Sequence, residues 1–177
     1  MINLINDIVM ADEVIHTIGH SNTEIKKFIN ILKQNNIEVL VDVRSIPYSR
    51  YASWFNKDNI KRELEREGIM YVFMGNVLGG RPKQLRDTEF YTANVITDAR
   101  YKKIMEQKWY QKGISKLIEI ASTHKVTVMC SEENPNNCHR HLLITQSLLA
   151  RGVDVLHIRG NGIIEAAKRY IPQATLV

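Results

Sequence analysis

The sequence contains few cysteines and prolines and no long apolar run, and each scarcity excludes a class of protein. Only two of its 177 residues are cysteine and only four are proline. Two cysteines, Cys130 and Cys138, are too few to form the disulfide framework of a secreted domain, so we expect reduced thiols. No apolar run approaches the roughly 18 residues that a membrane helix needs, and the first residues, which include acids but no lysine or arginine, do not resemble a secretory signal. These absences predict a cytoplasmic protein with no membrane partner.

The sequence also has no large excess of charge of one sign. Lysine and arginine number 24 against 19 acidic residues, which gives a formal net charge of +5. This mild excess favours anionic partners such as phosphates or nucleic acid, although lysines scattered over the surface would give the same total. Hydrophobic residues make up 44% of the chain, which is typical of a globular protein. At this length we expect one domain, residues 1–177, with a core of its own.

Short apolar runs rich in β-branched residues alternate with helical patterns along the chain. Five such runs predict strands at 15–18, 39–43, 69–74, 126–129 and 153–158. Strands that alternate with helices indicate βαβ units, and buried parallel strands are typically unbroken apolar runs. The pattern therefore predicts an α/β domain around a mostly parallel five-stranded sheet.

Capping residues predict where the helices begin and end. Ser21 and Glu24 form the pattern of a capping box ahead of an apolar stripe, which marks the first helix. Asn56 is placed to cap a second helix that ends before Gly68. Further helices are expected over 114–121, over about 138–151, and from Gly162 to before Pro172.

Each predicted strand ends in polar or glycine residues. In parallel sheets, ligands bind beyond the carboxyl ends of the strands, so these residues are candidates for a functional site. The convergent set is His20, Asp42, Arg44, Arg81, Cys130, Glu132, Cys138, His139, Arg140 and His157. The catalytic candidates are Asp42, Glu132 and His139 for proton transfer and Cys138, with Cys130 as the alternative, for nucleophilic attack. The candidates for binding an anionic substrate are His20, Arg44, Arg81, Cys130 and Arg140.

Several of these residues have a structural alternative. Asp42, inside an apolar strand, could be a buried acid paired with Arg44 rather than a general base. His20 could cap the neighbouring helix, and Cys130 could be an inert thiol of the core. The pair Gly79–Gly80 is typical of a turn that needs positive φ.

The segment from Cys130 to Arg140 carries the most specific pattern. A strand that ends in cysteine, then a loop, then an arginine at the start of a helix holds an anion in thiol enzymes, because the helix amides and the guanidinium both attract it. Pro135 predicts a turn, followed by a helix that begins at 137 or 138 and is N-capped by one of the two asparagines after the proline. Cys138, in the first turn, is then expected to have a depressed pKa.

The same segment offers four nominal zinc ligands, Cys130, Cys138, His139 and His141. Their spacing is not that of paired cysteine and histidine ligands. Neighbours on a helix, such as 138 and 139, also point about 100° apart. The sequence therefore predicts no metal site, and it does not identify a cofactor.

Six ordered motifs together resemble one known family. They are Thr17–Asn22, Leu40–Ser45 with Pro47 and Arg50, Phe55–Asn56, Gly68–Tyr71, Leu78–Arg81 and the block Cys130-x-Glu132-x5-Cys138-His139-Arg140. This set is similar to the domain-of-unknown-function family numbered 488. The resemblance implies a compact, Rossmann-like, three-layer α/β domain, and it implies no settled activity. A weaker similarity to rhodanese-like domains rests on the strand ending in Asp-Val-Arg and on the later strand-Cys-loop-Arg-helix order.

The segment 76–111 departs from the family pattern from Lys83 onward. Its basic residues are interleaved with five aromatic residues, Phe90, Tyr91, Tyr101, Trp109 and Tyr110. We expect an inserted helical or loop cap that acts as a lid, since long loops often cover sites. The alternative is a surface on which single-stranded nucleic acid stacks.

Two classes of function remain open. The first is an enzyme that acts on a phosphorylated or nucleic-acid-like anionic substrate at the strand ends. The second is a non-catalytic module that binds nucleic acid or nucleotides, and rhodanese-like thiol and sulfur chemistry is a further alternative. A deep pocket at the strand ends would favour the enzyme, whereas an open basic groove across the inserted segment would favour the module.

Overall fold

A six-stranded sheet organises the chain. The computed structural model describes residues 14–85 and 98–169. The strands are β1 (Val14–Gly19), β2 (Val39–Asp42), β3 (Met70–Phe73), β4 (Val126–Cys130), β5 (Asp154–Ile158) and β6 (Ile164–Ala166). They lie in the order β3-β2-β4-β1-β5-β6, and all neighbours are parallel except the antiparallel pair β5 and β6. The predicted α/β class and the five parallel strands are confirmed.

The central strands are apolar because both faces of the sheet are covered. Every residue of β2 and of β4 is buried. Val39 and Val41 belong to one core, which includes helix residues such as Ile114. Leu40, between them, belongs to a second core, which includes Leu32. Alternate residues of one strand thus serve two cores, and the sheet lies between two layers of helices, as expected for a Rossmann-like domain.

The helices cover these two faces. They are α1 (Ile25–Gln34), α2 (Lys57–Arg66), the single turn α3 (Gly75–Leu78), α4 (Asp98–Met105), α5 (Lys108–Ala121) and α6, in which π-helical turns (Arg140–Thr145) continue as α-helix (Gln146–Leu149). Within residues 14–85 and 98–169, no helix is both long and apolar enough to cross a membrane. Of the inserted segment 76–111, residues 86–97 lie outside the described residues, and with them Phe90 and Tyr91.

The capping box predicted for α1 is wrong. Ser21 adopts a φ of 45° in the turn after β1, and the helix begins after Glu24, whose side chain makes no capping hydrogen bond. The apolar stripe stabilises α1 instead, with Phe28 among its buried residues. The second helix follows its prediction: it begins after Asn56 and ends before Gly68, which has a φ of 72°.

The helix predicted to begin at Gly162 is also wrong, because the chain reverses there. Gly162 has a φ of 86°, and its N–H donates to the Arg159 carbonyl at 2.8 Å, which closes a tight turn. The chain then returns beside β5 as the antiparallel strand β6. The sheet consequently has six strands where five were predicted, and β6 protects the backbone edge of β5.

The connection from β4 to α6 differs in detail from its prediction. Pro135–Asn137 form a 3-10 turn whose N-cap is Asn134, not Asn136 or Asn137, because the Asn134 side chain accepts the Asn136 N–H at 3.0 Å. Cys138 follows in an extended conformation, with φ −131° and ψ 142°. It therefore precedes the helix instead of lying in its first turn.

Candidate functional site

A cavity of about 290 Å³ opens at the carboxyl ends of β2 and β4. Six of the predicted site residues line it, namely Arg44, Arg81, Cys130, Glu132, Cys138 and His139, together with Ser45, Ile46, Gly80, Arg100, Tyr101, Ser131 and Asn137. The strands bring these residues together because β2 and β4 are neighbours in the sheet. Asp42, His20 and Arg140 are buried close by and do not line the cavity.

Four side chains of the cavity wall form what we call the thiol cluster: Cys130, Cys138, His139 and Tyr101. His139 Nδ1 lies 3.6 Å from Cys130 Sγ and 3.9 Å from Cys138 Sγ. The other ring nitrogen, Nε2, lies 3.2 Å from the Val43 carbonyl and donates to it. Nδ1 of a neutral ring is therefore free to accept a proton from a thiol, and Nδ1 of a protonated ring donates to a thiolate.

The two thiols of the cluster have opposite pKa shifts. The pKa of Cys138 is lowered from its ordinary value, first by a hydrogen bond from Cys130 and then by His139 and the Arg140 charge, against an opposing effect of burial. The pKa of Cys130 is raised, because its proton is held on Cys138 and because it is buried. The backbone N–H of Arg140 also donates to Cys138 Sγ, at 3.5 Å. This arrangement favours a Cys138 thiolate beside a Cys130 thiol.

Cys130, Cys138 and His139 also offer three ligand atoms that lie within 4.8 Å of one another, close enough to hold one soft metal ion. The sequence argument that positions 138 and 139 diverge on a helix was wrong. Cys138 precedes the helix in an extended conformation, and its sulfur lies 3.9 Å from His139 Nδ1. The fourth nominal ligand, His141, is elsewhere: its Nδ1 lies 2.9 Å from His157 Nε2. The predicted absence of a metal stays a prediction.

Arg140 holds the loop that follows β4. Its guanidinium, which is completely buried, donates to the carbonyls of Glu132 and Glu133. Among the described residues, no partner satisfies its Nε. The Glu132 side chain stays exposed at the cavity, whereas Glu133 pairs with Arg159 at 2.8 Å, which lowers the pKa of Glu133 to about 2. The guanidinium predicted to clamp an anion is thus engaged with the protein's own backbone.

Behind the cavity lies a second set, the ion-pair cluster: Asp42, Arg44, His20 and Tyr71. Arg44 donates to both Asp42 oxygens, from Nε at 2.9 Å and from a terminal nitrogen at 2.6 Å, and the Tyr71 hydroxyl donates to the same carboxylate at 2.7 Å. Asp42 is fully buried and Arg44 is 4% exposed. These contacts match the structural alternative for Asp42, a buried acid paired with Arg44.

His20 completes the ion-pair cluster as a neutral ring. Its Nε2 accepts from Arg44 at 3.1 Å, its Nδ1 donates to the Ser21 carbonyl at 2.7 Å, and it stacks on Phe55 with ring centroids 4.2 Å apart. Burial and the Arg44 charge lower the pKa of His20 to about 4. It contacts the turn before α1 without capping that helix.

Two residues of the cavity wall, Arg100 and Tyr101, come from α4 in the inserted segment and were not predicted as site residues. Arg100 donates to the Gly80 carbonyl at 2.7 Å. The Tyr101 hydroxyl is buried and has no partner among the described residues, and burial raises the pKa of Tyr101. The only signal in the sequence was the aromatic content of the segment, because no motif joins α4 to the strand ends.

Gly79 and Gly80 serve close packing and not the positive φ that was expected. Gly79 has a φ of −68°. A Cβ on Gly80 would lie 2.8 Å from Cγ of the His139 ring, and a Cβ on Gly79 would meet the Ser45 hydroxyl. The absence of these two side chains therefore lets the chain pass directly over the thiol cluster.

His157 was predicted at the strand ends but lies apart from the cavity. It connects Thr17, at 2.7 Å, with His141, and burial lowers its pKa to about 3. A separate cavity of about 590 Å³ adjoins this histidine pair. The pair thus belongs to the other half of the sheet, beside β6.

A family model described as a domain of unknown function, DUF488, matches residues 24–146. Neither a curated protein nor a solved structure matches the chain. The matched region contains both β2 and the whole Cys130 to Arg140 segment, and therefore most of the cavity wall. Since the match covers well over half of the chain, this protein belongs to the DUF488 family.

Proposed function

We propose that the protein is a thiol-dependent enzyme that acts on an anionic substrate, with Cys138 as its nucleophile. One observation carries the proposal: Cys138 Sγ lines a cavity while Cys130, His139 and the Arg140 N–H surround it. Thiolates, not thiols, are nucleophiles, and hydrogen-bond donors stabilise them at neutral pH. A residue that served only the core would not combine a lowered pKa with access to a cavity.

The chemistry assigns one task to each member of the thiol cluster. The Cys138 sulfur forms a bond to the electrophilic atom of the substrate, and the leaving group departs with the bonding electron pair. The Tyr101 hydroxyl, which stays protonated because burial raises its pKa, donates a hydrogen bond to that leaving group, which departs as an anion. A water molecule then attacks the same electrophilic atom while one of its protons passes to His139 Nδ1, and the bond to sulfur breaks, which restores the Cys138 thiolate. The proton on His139 then passes to solvent.

Positive charge around the cavity supports an anionic substrate. Arg81 is exposed at the cavity and supplies a guanidinium group that suits phosphate or carboxylate. Arg44 and Arg100, which also line the cavity, and the buried Arg140 add positive charge while their nitrogens bind protein oxygens. In this proposal α4, the described helix of the inserted segment, covers the site, because it brings Arg100 and Tyr101 to it.

Alkylation by iodoacetamide across a pH series tests the nucleophile. After treatment with a chelator, mass mapping of the wild-type protein should show Cys138 labelling with a midpoint well below the ordinary thiol pKa of about 8.5. Cys130→Ser keeps a hydroxyl donor and should retain most of the depression. Cys130→Ala removes the donor and should raise the midpoint, and Cys138→Ser should lose the early labelling.

Two outcomes would overturn the proposal. A Cys138 midpoint at or above about 8.5 in the wild-type protein would remove the thiolate. One equivalent of zinc that survives purification and prevents labelling until it is stripped would mean that the sulfurs bind metal instead of substrate. The anionic substrate has a separate test: inorganic phosphate should slow the labelling of wild-type protein and have a weaker effect on Arg81→Ala, with Arg62→Ala as the matched surface control.

A further inference from the structure

The loop that leaves the cavity presents an unusual set of side chains to solvent. Ile46, Tyr48, Tyr51 and Trp54 are 63%, 65%, 87% and 36% exposed. We call residues 46–54 the aromatic loop. Large apolar side chains clustered on one short segment, with charged residues at their edge, are typical of an interaction surface.

The aromatic loop is held in place, so its exposed rings are not those of a loosely attached segment. Ala52, within it, and Phe55, just after it, are buried and anchor the loop to the domain. The Ser49 N–H donates to the Asn56 side chain at 2.7 Å, and the Trp54 indole N–H donates to the Thr23 carbonyl at 2.9 Å. A loop whose backbone is already held in place loses little conformational entropy when a ligand covers it.

The loop is basic and continuous with the cavity. From Arg44 to Lys57 the chain contains no aspartate or glutamate, and Arg50 and Lys57 are exposed. Ile46 lines the cavity, next to Ser45, whose hydroxyl accepts the N–H of Arg81 at 2.9 Å. A ligand that lies on the aromatic loop therefore reaches the cavity mouth directly.

We infer that the aromatic loop binds single-stranded nucleic acid and leads one phosphate-bearing residue of it to the cavity. This inference rests on the proposed function and names the class of its anionic substrate. Bases have flat faces that stack on Tyr48 and Tyr51, while Arg50, Lys57 and Arg81 meet the phosphates. A protein partner would bring no repeated negative charge to match this basic edge. The platform inferred here is at 46–54, and the inserted segment 76–111, for which the sequence offered base stacking as an alternative to a lid, stays a separate prediction.

Fluorescence anisotropy with a labelled single-stranded DNA 12-mer at low salt tests the inference. Wild-type protein should bind it, and Tyr51→Ala should weaken binding by about fivefold or more, as expected for one lost base stack. Tyr48→Ala should act similarly. Ile164→Ala, an exposed apolar residue on β6, is the matched control and should bind like the wild type. Arg50→Ala should lower the dependence of affinity on salt, in contrast to Arg62→Ala.

The outcomes separate this inference from the proposed function. Absence of binding at low salt, or binding that Tyr48→Ala and Tyr51→Ala leave unchanged, overturns it. Equal affinity for a blunt duplex also overturns it, because paired bases cannot stack on the rings. A dimer in native mass spectrometry that Tyr51→Ala abolishes, without oligonucleotide binding, would assign the loop to a second copy of the chain. None of these results depends on the pH profile of Cys138 labelling, which tests the nucleophile alone.

Discussion

The ion-pair cluster and the thiol cluster lie side by side at the same edge of the sheet and differ in how their polar groups are satisfied. In the first, both oxygens of Asp42 accept hydrogen bonds and His20 uses both ring nitrogens. In the second, the Tyr101 hydroxyl has no partner among the described residues, and a cavity adjoins the sulfurs. Buried polar groups are almost always satisfied, and in the proposed function a ligand in the cavity supplies the partner that the Tyr101 hydroxyl lacks among the described residues.

This comparison distinguishes the residues whose contacts stabilise the fold from the residues that are available for chemistry. Arg44 and Asp42 are prominent in the sequence, yet their contacts are complete without a ligand. Cys138 also lies in a specific sequence pattern, and in the proposed function it is the reactive group, because it lines the cavity beside a second thiol and an imidazole. Substitutions in the ion-pair cluster should therefore change stability, whereas substitutions in the thiol cluster should change reactivity.

The largest effect is expected from breaking the ion-pair cluster. Asp42→Ala leaves Arg44 buried without its counter-ion, which should lower the free energy of unfolding by about 3–5 kcal/mol. Urea denaturation followed by circular dichroism measures this. Glu63→Ala, which breaks the exposed pair with Arg66, is the control and should cost less than about 1 kcal/mol. If Asp42→Ala lowers the free energy of unfolding by less than about 1 kcal/mol, the ion-pair cluster does not stabilise the fold.

Acid should destabilise the same cluster through His20. Its pKa is about 4 in the folded protein and 6.5 for an unperturbed histidine, so the unfolded chain binds the proton more tightly. Stability is then complete above pH 6.5 and declines as the pH falls toward 4. At pH 4.5 the loss from this group should be about 2–3 kcal/mol relative to pH 7.

His20→Gln isolates this contribution, because a glutamine oxygen can still accept from Arg44 and does not titrate. Urea denaturation of both proteins at several pH values between 4.5 and 7 should show a flatter profile for the variant. Parallel profiles would mean that His20 does not carry the acid sensitivity, and other buried histidines such as His157 would then have to be responsible.

Tyr71 in the ion-pair cluster and Tyr101 in the thiol cluster allow the same substitution to be compared in both. Tyr71→Phe removes a hydrogen bond to the Asp42 carboxylate and should cost about 1.5–3 kcal/mol. Tyr101→Phe removes a buried hydroxyl that has no partner among the described residues, and should raise stability by up to about 1 kcal/mol. Thermal unfolding of the two variants gives the sign directly. Destabilisation by Tyr101→Phe would indicate that its hydroxyl is already satisfied in the protein.

Gly80→Ala should have a moderate effect on stability and a clear effect on reactivity. The added methyl group would lie 2.8 Å from Cγ of His139, so the ring has to move away from the two sulfurs. We expect a loss of about 1–3 kcal/mol and a raised midpoint for Cys138 alkylation. Gly113→Ala, whose new Cβ would meet only apolar side chains of Val77 and Leu78, is the control. An unchanged midpoint in Gly80→Ala would show that His139 does not tune the thiol.

The sequence predicted the sheet well because buried parallel strands have a local signature, an apolar run between helices. The prediction failed where the backbone conformation at one position determines the path of the chain. Gly162 was assigned to a helix start, whereas its positive φ closes the turn before β6. Pro135 was correctly assigned to a turn, yet the 3-10 geometry after it places Cys138 outside the helix.

The site was predictable to the extent that it lies at strand ends. The rule for parallel sheets brought Cys130, Cys138 and His139 together correctly. It could not distinguish a satisfied arginine from an available one, because the partners of Arg140 are backbone carbonyls. Nor could it find Tyr101, since the packing of α4 over the strand ends depends on contacts between segments far apart in the sequence.

The π-helical turns of α6 have a consequence for how the reactive face can vary. Each such turn accommodates one residue more than an α-turn, and the Thr145 hydroxyl donates to the Arg140 carbonyl at 2.7 Å across the widened turn. Deleting a single residue there is expected to restore α-helical phase and to rotate His139, which immediately precedes the π-helical turns, by about 100° relative to the core-facing side of the helix. A change in chain length by one residue can therefore change which side of the helix start faces the cavity at this edge of the domain. No single side-chain replacement has that effect.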